Sequence, residues 1–395
     1  MKRDALCHAV RQALVRLPPP HDSHYGVVPE PPPEGAIKVH DLVGKRDAER
    51  ALAEIHVLAG QTADPFLLSK VIIQLEALAS SAMEGTHSTL HDVLTQLMTG
   101  DGRASNPATR QVAAYAETLS RLVLRAQGTG SAIFTLELLS ELHEAVMKDD
   151  PAYADEPGTL RSRTVWIGGK EISHSTWNPP PSDRVPACIS ENIAYMRCDS
   201  KQIPTQGTLT RLAIAHAHFE AVHPFRDGNG RVGRLLLPIM MAAYGEVPLY
   251  LSPYIEKNKD RYIAALKAAQ QQLDWGAMVD FLSQSVVATV AELKITRQAL
   301  LNLYDIWKGR RVFRAGSAAL RALDHLLIYP MFSITMLSLQ LNISVQAANV
   351  AAQQLLEVGI IVERHGKRRN RLFGVPEAMT IIGRPFGEEP VLPEQ

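Results

Sequence analysis

His223-Pro-Phe-Arg-Asp-Gly-Asn-Gly-Arg-Val-Gly-Arg234 decides the fold, because this polar stretch joins two apolar segments with helical periodicity. Residues 207–222 place apolar side chains at the i, i+3, i+4, i+7 spacing of one buried helix face. Residues 230–244 follow with the apolar run LLLPIMMA. We therefore predict a mainly α-helical protein in which a glycine-rich loop lies between two core helices.

Such a loop has backbone N–H groups that need partners, and an anion meets that need. Gly228 and Gly230 allow the amides to converge, and the following helix presents its positive N-terminus. Arg231 and Arg234 are three residues apart, so we expect both on one face of the first turn, where together they can clamp a polyphosphate. Asp227 is a candidate metal ligand in the same loop.

Two other interpretations of this stretch are weaker. Gly228-Asn-Gly-Arg-Val-Gly233 satisfies G-x-G-x-x-G, but a dinucleotide-binding fold needs a strand before that motif, and here a helix precedes it. His216, His218 and His223 are poor candidates for a metal triad, because His218 leaves the face shared by the other two and H-E-x-x-H is absent. We expect His216 and His218 to be core histidines.

The composition is that of a globular protein of two or three domains, with 395 residues, 46% hydrophobic and 21% charged. Cys7, Cys188 and Cys198 are too few and too scattered for a disulfide framework or a cysteine zinc site, which indicates a reducing compartment. Charged residues interrupt any signal-peptide core near the start, and the apolar run 235–245 is shorter than the roughly 20 residues that span a bilayer. We expect a cytoplasmic protein without membrane contact.

The formal net charge of zero hides an asymmetry. Between Lys308 and Arg371 there are ten Lys or Arg and three Asp or Glu, so this segment carries +7 and the rest of the chain −7. A basic module on an acidic body is a hint of nucleic acid contact. DNA, bound through residues 310–371, is therefore a candidate partner.

The same segment changes in pattern to three helices followed by two short strands about Gly366. Ser344 can cap the helix from Val345 to Val358. This order resembles a winged helix-turn-helix, with His365-Gly-Lys-Arg-Arg369 at the wing tip. A small α+β appendage with a solvated basic loop and a protein-docking module are the alternatives.

Two other segments depart from the helical pattern. Residues 17–35 hold seven prolines, which predicts an extended arm that wraps or dangles. The segment Arg163 to Trp177 contains two β-prone runs about Gly168-Gly169, which predicts a β-hairpin. Its unpaired edge can accept a strand from a partner, or the hairpin is only a stabilising lobe. The pattern leaves both open.

HPFRDGNGRVGR matches the Fic family signature, HPFx(D/E)GNGRxxR, at every fixed position. PGTLRSRTVWIGG, TWNPPPSDRV, AIAHAHFEAVHPF and PLYLSPYIEKNKDRY also resemble family segments in the expected order, so the resemblance covers roughly residues 40–295. It implies a Fic-type helical bundle with a β-hairpin flap, here followed by a winged-helix domain. It also implies an enzyme that moves AMP from ATP to a hydroxyl side chain (Tyr, Ser or Thr) of a target protein.

This resemblance suggests a division of the chain into five parts. They are an N-terminal arm and helical region with an inhibitory helix (1–105), a Fic catalytic domain (106–290), a linker helix (291–309), a winged helix-turn-helix domain (310–378) and a tail (379–395).

The resemblance also implies residue roles. His223 is the expected general base, which takes the proton from the target hydroxyl. Asp227 is expected to hold Mg²⁺, with Mn²⁺ as the alternative, bridging the α- and β-phosphates of ATP. For Tyr254, core packing is the alternative to nucleotide contact. The expected nucleotide-binding residues are Gly228, Asn229, Gly230, Arg231, Arg234, Tyr254 and Asn258.

Ser80-Ser-Ala-Met-Glu84-Gly85 matches the family's inhibitory pattern, [S/T]-x-x-x-E-[G/N]. The resemblance implies that Glu84 forms a bidentate pair with Arg234 and blocks productive placement of ATP. A surface glutamate at a helix end is the alternative. The hairpin at 163–177 corresponds to the family's flap, which holds the backbone of the target protein.

Other functions remain open from the sequence. One is a DNA-binding regulator whose Fic domain senses a nucleotide, although the intact His223 and Asp227 favour catalysis. Another is a Fic enzyme that transfers a different nucleotide or a phosphoryl group, or that removes AMP from its target. A homo-oligomer is also left open.

Overall fold

The computed structural model describes residues 1–61, 70–100, 105–199, 206–365 and 371–394. Within these ranges the chain is mainly helical, as predicted. None of the described helices combines the length and apolar character that crossing a membrane requires. The helices are His8–Gln12 (α1), Leu42–Gln61 (α2), Lys70–Ala82 (α3), Leu90–Thr99 (α4), Pro107–Thr129 (α5), Leu136–Met147 (α6), Val185–Arg197 (α7), Thr208–Val222 (α8), Asn229–Ala243 (α9), Ser252–Lys257 (α10), Lys259–Gln272 (α11), Trp275–Gly309 (α12), Ala318–Ile328 (α13), Ile334–Leu341 (α14), Val345–Glu357 (α15) and Pro376–Ile382 (α16).

The described ranges also contain two small antiparallel sheets. Leu14–Arg16 (β1) pairs with Tyr25–Val27 (β2) near the N-terminus. Near the C-terminus, Met331–Ser333 (β3), Val362–His365 (β4) and Leu372–Gly374 (β5) stand in the spatial order β3-β5-β4. Each strand has three or four residues. The main body of the protein is therefore built by helix packing.

The largest hydrophobic core lies around α8 and α9, the helices that flank the glycine-rich loop. Every residue of α8 from Leu209 to Val222 is buried, and so is every residue of α9 from Arg231 to Ala242. Helices α5, α6, α11 and the first half of α12 pack around this pair. Because both helices are enclosed by neighbours, the two ends of the loop are held at fixed positions.

A second hydrophobic core lies in the C-terminal part, where the last turns of α12 pack with α13 to α16. Helix α12 runs unbroken between the two cores. Helix α3 also contributes to both, because Val71 and Ile72 lie in the C-terminal core whereas Ile73 and Ala77 lie in the main core. Helix α3 thus links the C-terminal part to the body that carries the loop.

From Ala318 onward the elements follow the order helix, strand, helix, helix, strand, strand, helix. The sequence predicts the three helices and the last two strands, but it does not reveal β3 or α16. Ser344 Oγ accepts a hydrogen bond from the Ala347 N–H at 3.1 Å, which caps α15 where the cap was expected. Residues 366–370, which hold most of the expected wing tip, lie outside the described residues.

The proline-rich arm wraps around the helical body. The Val27 N–H donates to the Asn178 carbonyl at 3.0 Å, and the Asn178 amide donates to the Tyr25 carbonyl at 2.9 Å. Further along, the Gln206 amide donates to the Pro33 carbonyl at 2.8 Å. The arm is therefore attached beside the flap at one point and just before α8 at another.

The β-hairpin expected at residues 163–177 is wrong in form. A single bridge joins Ile167 to Trp177, and a 3₁₀ turn at Ile172–His174 takes the place of a second strand. The Trp177 ring is 2% exposed, and its Nε1–H donates to the Ala221 carbonyl at 3.0 Å. The flap is thus a loop held by a buried tryptophan, because this tertiary contact replaces the strand ladder.

Candidate active site

Two residues with positive φ shape the loop between α8 and α9. His223, directly after α8, has φ 49°, and Gly228, directly before α9, has φ 75°. Left-handed backbone is uncommon for a residue other than glycine and clusters at functional sites. Asn229 closes the loop, because its amide donates to the Phe225 carbonyl and its Oδ1 accepts from the Phe225 N–H, both at 2.9 Å. The Asn229 side chain therefore braces the loop, and its expected contact with the nucleotide stays a prediction.

His223 lies at the mouth of the loop with a side chain that is 20% exposed. Its Nδ1 is buried without a hydrogen-bond partner and lies 3.8 Å from Oε2 of Glu220. Burial, with a smaller contribution from the nearby cation Arg161, lowers the pKa of His223 to about 4. The imidazole is therefore neutral at pH 7 and can accept a proton.

Glu220 is a buried carboxyl group that sequence reasoning missed. The residue is 6% exposed, and its Oε1 has no hydrogen-bond partner. A Cβ at position 233 would collide with this oxygen, so Gly233 allows α8 and α9 to approach here. Burial raises the pKa of Glu220 to about 7. A glutamate three residues before a helix-end histidine is also a common surface pattern, so the sequence carries no signal for this burial.

Asp227 lies on the exposed side of the loop. Its Oδ1 accepts from the Gly228 N–H at 2.6 Å, and its carbonyl is bonded to His143 Nε2 at 3.1 Å. His143 is fixed in turn, because its Nδ1 accepts from the Gly158 N–H at 2.7 Å and its ring stacks on Phe225 with centroids 3.9 Å apart. Helix α6 thereby holds the backbone that carries the Asp227 carboxylate.

Arg234 is 2% exposed in the first turns of α9 and contacts the segment expected to be inhibitory. Its Nε donates to Ser80 Oγ at 2.9 Å, and its Nη2 donates to the Ser80 carbonyl at 2.9 Å and to Glu84 Oε1 at 2.8 Å. The structure thus brings Ser80, Glu84 and Arg234 together. The Glu84 contact uses one oxygen and one N–H of Nη2, so the expected bidentate pair is wrong, because Ser80 takes the Nε–H and the other N–H of Nη2.

Glu84 follows α3 in a turn, with a side chain that is 38% exposed. A Cβ at Gly230 would lie 2.5 Å from Glu84 Oε1, so the carboxylate packs directly over the first turn of α9. Burial would raise the pKa of Glu84, but Arg234 outweighs it and holds that pKa below its usual value. A helix N-terminus beside a buried guanidinium favours an anion. Glu84 is the anion there in this structure, and we call this place the anion cradle.

The hydrogen bonds of Arg231 go to partners other than Glu84, although its charge contributes to the lowered pKa of that carboxyl. Its Nη1 donates to Gln111 Oε1 and to the Val146 carbonyl, both at 3.2 Å. It is 3% exposed and points toward α5 and α6, whereas Arg234 points toward α3. Polar partners on different helices separate the two guanidinium groups in this structure, and the joint clamp of a polyphosphate by Arg231 and Arg234 stays a prediction.

Two further contacts hold the segment that carries Glu84. Glu76 is 1% exposed, and its carboxylate accepts from the Ser252 N–H at 2.8 Å and from the Ser252 hydroxyl at 2.5 Å. Burial raises the pKa of Glu76 to about 7. Lys259 Nζ donates to the Met83 carbonyl at 2.7 Å. Helix α3 is thereby tied to α10 and α11, and neither contact has a signal in the sequence.

The two expected nucleotide contacts outside the loop lie at the junction of α10 and α11. The Tyr254 ring is 8% exposed and packs against Phe281 and Phe386, with centroids 5.7 and 5.8 Å away. The Asn258 amide donates to the Tyr254 carbonyl at 2.9 Å, where one helix ends and the next begins. These contacts favour the core-packing alternative for Tyr254, and the nucleotide role of both residues stays a prediction.

His216 and His218 are core residues, as predicted, with 1% and 0% exposure. His216 bonds to the Tyr262 hydroxyl at 2.7 Å and to the Gly233 carbonyl at 3.0 Å, and His218 bonds to Asn192 at 3.0 Å. Burial lowers the pKa of both histidines to about 4. Within the described residues, no group of three His, Cys, Asp or Glu side chains could hold a metal ion.

Comparison with known families agrees with the motif in the loop. Residues 133–241 match the Fic/DOC family model, and residues 44–121 match the model of the Fic/DOC family N-terminal region. A crystal structure of a Fic family protein from Desulfovibrio desulfuricans G20 is similar over 88% of this chain and 98% of that chain, with a TM-score of 0.51 and 21% identity. At this identity the likeness concerns the fold.

The sequence relatives match this chain over only part of their own length. The chain is 27% identical over 175 residues to a probable protein adenylyltransferase of Aquifex aeolicus, and the matched region covers 42% of this chain and 49% of that protein. It is 29% identical over 136 residues to the protein adenylyltransferase fic-1 of Caenorhabditis briggsae, and that match covers 34% of this chain and 24% of that protein. The chain therefore spans about half of the first relative and about a quarter of the second.

Proposed function

Because the chain belongs to the Fic/DOC family, we propose that it is a self-inhibited protein adenylyltransferase. It transfers AMP from ATP to a Tyr, Ser or Thr hydroxyl of a target protein and releases pyrophosphate. The observation that carries the proposal is that Glu84 occupies the anion cradle at the start of α9. The loop that leads into this helix begins with the neutral imidazole of His223. A site that only sensed a nucleotide would not need that imidazole.

In the proposed step, the target hydroxyl oxygen forms a bond to the α-phosphorus of ATP. The bond from the α-phosphorus to the oxygen that bridges to the β-phosphate breaks, and pyrophosphate leaves with its electron pair. His223 accepts the hydroxyl proton. Arg234 and the N-terminus of α9 hold the distal phosphates, which turns the α-phosphorus toward the hydroxyl and decides which group is transferred.

A divalent cation fits the loop through Asp227. The residue is exposed, and the described residues supply no larger cluster of ligands, so phosphate oxygens and water would complete the coordination shell, as is usual for Mg²⁺. Asp227 would hold the Mg²⁺, or Mn²⁺ as the alternative. When bound, the cation would offset the charge of the phosphates.

The flap is the proposed docking site for the target protein. Backbone groups of residues 164–166 form no hydrogen bond within the described part of the chain. An extended segment of a target can pair with such an edge, and we propose that this pairing brings its hydroxyl to His223. The loop form of the flap keeps this edge free, because its own closing bridge lies farther along at Ile167 and Trp177.

Parallel labelling identifies the group that is transferred. We expect a target protein to take label from α-labelled ATP but not from γ-labelled ATP, because the anion cradle holds the distal phosphates and leaves the α-phosphorus to the hydroxyl. UTP in place of ATP tests the choice of base. Label from γ-labelled ATP on the target would contradict adenylyl transfer and support phosphoryl transfer.

The pH dependence of transfer reports the protonation of His223. Since kcat/KM reports the free enzyme, and burial lowers the pKa of His223 to about 4, the base is unprotonated at all higher pH values. Burial raises the pKa of Glu220, whose Oε2 lies 3.8 Å from His223 Nδ1, to about 7, so this group would titrate in the same interval and is replaced by glutamine in this test. We therefore expect kcat/KM for ATP in the Glu84→Gly, Glu220→Gln variant to change less than about twofold between pH 7.5 and pH 5.5. A loss of tenfold over this interval would show an ordinary histidine and contradict the assignment.

Hydrolytic removal of AMP by the same site is the alternative, in which water attacks the phosphorus and the target hydroxyl leaves. It is tested by incubating AMP-modified target with the wild-type protein, and release of free AMP would support it. Absence of release, with modified target recovered intact, would limit the protein to the forward transfer.

For residues 310–378 we propose a winged helix, on the basis of the order of α13 to α16 with β3, β4 and β5. DNA contact through this module is limited by the small number of basic side chains that are free to bind phosphate. Helix α15 has no Lys or Arg, and four described basic residues of the module have protein partners at close range. These four are Arg310, Arg311, Arg321 and Arg371.

We therefore expect any DNA binding to depend weakly on salt. A gel-shift titration with duplex DNA should give a slope of log affinity against log salt no steeper than about −4, since each phosphate contact contributes about −0.9. A slope near −8 would contradict this expectation and favour the alternative of a DNA-binding regulator.

A further inference from the structure

Arg161 is a buried cation beside the loop, only 5% exposed. Its Nε donates to the His223 carbonyl at 2.8 Å, and its Nη2 donates to the Pro180 carbonyl at 2.7 Å and to the Val222 carbonyl at 3.3 Å. Its Nη1 donates to the Arg163 carbonyl at 3.2 Å. Within the described residues no carboxylate is paired with this guanidinium, so main-chain carbonyls alone satisfy it.

A buried charge is costly unless hydrogen bonds replace its hydration. Burial lowers the pKa of Arg161 to about 10, so the group still carries its charge at pH 7. The rigid fork of a guanidinium can reach several carbonyls at once, which the single ammonium of a lysine cannot do in the same geometry. These carbonyls therefore stabilise the buried charge of Arg161, and the guanidinium in turn holds the carbonyls in position.

The carbonyls come from three places that the proposed reaction must align. Arg163 begins the flap, and Pro180 lies three residues after its end at Trp177. His223 has a positive φ of 49°, which an unsupported residue of this type rarely adopts. The Arg161 N–H also donates to the Pro224 carbonyl at 3.0 Å, so one residue holds both sides of the His223 backbone turn.

We propose that Arg161 is a positioning residue that fixes the His223 backbone relative to both ends of the flap, so that a hydroxyl presented along the flap meets the imidazole. The inference rests on the proposed function, because the position of the flap relative to His223 matters only if a target hydroxyl must reach that base. It adds a residue outside the 223–234 loop, for which the sequence offers no assignment.

The charge of Arg161 also affects the pKa of His223, and this effect can be separated from that of its hydrogen bonds. Three charged groups face His223: Arg161 from the segment before the flap, Glu220 from α8, and Glu84 from the turn after α3. A cation disfavours the protonated imidazole, so removing it raises the pKa of His223. A lysine at position 161 keeps this charge but loses the fork, whereas a glutamine loses the charge.

The test compares Arg161→Lys and Arg161→Gln in the Glu84→Gly background, with Arg184→Gln as the matched control. Arg184 lies just beyond the flap, with a side chain that is 63% exposed and an ion pair only to its neighbour Asp183. We expect both Arg161 variants to lose about 100-fold in kcat/KM for the target protein, as expected for a misplacement of about 1 Å, with KM for ATP within about twofold of the parent. Arg184→Gln should match the parent.

The pH profile separates positioning from a general structural role. Arg161→Gln should move the acid limb of kcat/KM to higher pH, whereas Arg161→Lys should leave it in place. Equal limbs in the two variants, or full activity in both, would overturn the proposal.

Hydrogen exchange of the same variants gives a readout that does not need activity. In Arg161→Lys we expect faster exchange in two stretches together, residues 162–180 and 219–227, with exchange elsewhere and the melting temperature near the parent's. Unchanged exchange in both stretches, or a uniform increase over the whole chain, would overturn the proposal. If the Glu84→Gly parent itself transfers no AMP, the proposed function fails, and this exchange pattern still decides the role of Arg161.

Discussion

The Glu84→Gly variant is expected to label a target protein from α-labelled ATP about 10- to 100-fold faster than the wild type. The Glu84 carboxylate lies over the first turn of α9 and bonds to Arg234, where the distal phosphates of ATP are proposed to bind. Because this side chain is 38% exposed, solvent weakens the pair, and we place the effect below that of a fully buried ion pair. The rate is measured as label incorporated per minute at saturating ATP.

A matched variant separates charge from shape in this result. Glu84→Gln keeps the size of the side chain and removes its charge, so it should release only part of the inhibition. Glu54→Gln, an exposed glutamate on α2 that pairs with Lys294, should behave as the wild type. Equal rates for Glu84→Gly and the wild type, with equal melting temperatures, would remove self-inhibition from the account.

Adding His223→Ala to the released variant is expected to lower AMP transfer by at least about 100-fold while ATP still binds. General-base catalysis commonly contributes 10²- to 10⁴-fold, and the pKa of about 4 keeps this imidazole in its proton-accepting form at pH 7. The phosphate contacts proposed for Arg234 and α9 do not involve the imidazole, so the affinity for ATP should stay within about threefold. Calorimetric titration measures that affinity.

The control for this variant is His8→Ala, because His8 is exposed at the start of α1. It should transfer AMP at the rate of the released parent. Transfer that survives in the His223→Ala variant would mean that another group takes the proton. The buried Glu220, whose Oε2 lies 3.8 Å from His223 Nδ1, would then be the next candidate.

Helical periodicity in the sequence predicts most of the fold. The two helices that flank the loop appear where the apolar spacing places them, and the expected linker helix at 291–309 is the second part of α12. The flap was wrong because β-prone composition does not reveal that Trp177 is buried against Ala221. Strand β3 was missed because it is short and, unlike β4 and β5, has no second β-prone run across a nearby glycine.

The candidate site shows a similar division. Two sequence motifs identify the contact of Ser80 and Glu84 with Arg234, because the inhibitory pattern contains the first two residues and the loop signature contains the third. They do not reveal the protein partners of Arg231 and of the Asn229 side chain, which come from α5, α6 and the loop itself. Spacing along one helix gives the face of a side chain, but the partner across the core decides its direction.

The contacts of Glu76, Lys259 and Arg161 were not predictable. Arg161 and Lys259 lie in segments that resemble the family, but the resemblance assigns them no contact. Each of the three gains its role from a partner at least 39 positions away or from carbonyls in separate segments. Burial of a charged group is a property of the packed structure, so it becomes visible only when the helices are assembled. These residues hold the groups that the motif names.

The most direct measurement is a crystal structure of Glu84→Gly with a non-hydrolysable ATP analogue. The account predicts a distal phosphate in the anion cradle, over Gly230 and within hydrogen-bond distance of Arg234, with the α-phosphorus facing the His223 side of the loop. A nucleotide bound elsewhere, or bound with its distal phosphates away from Arg234, would contradict it.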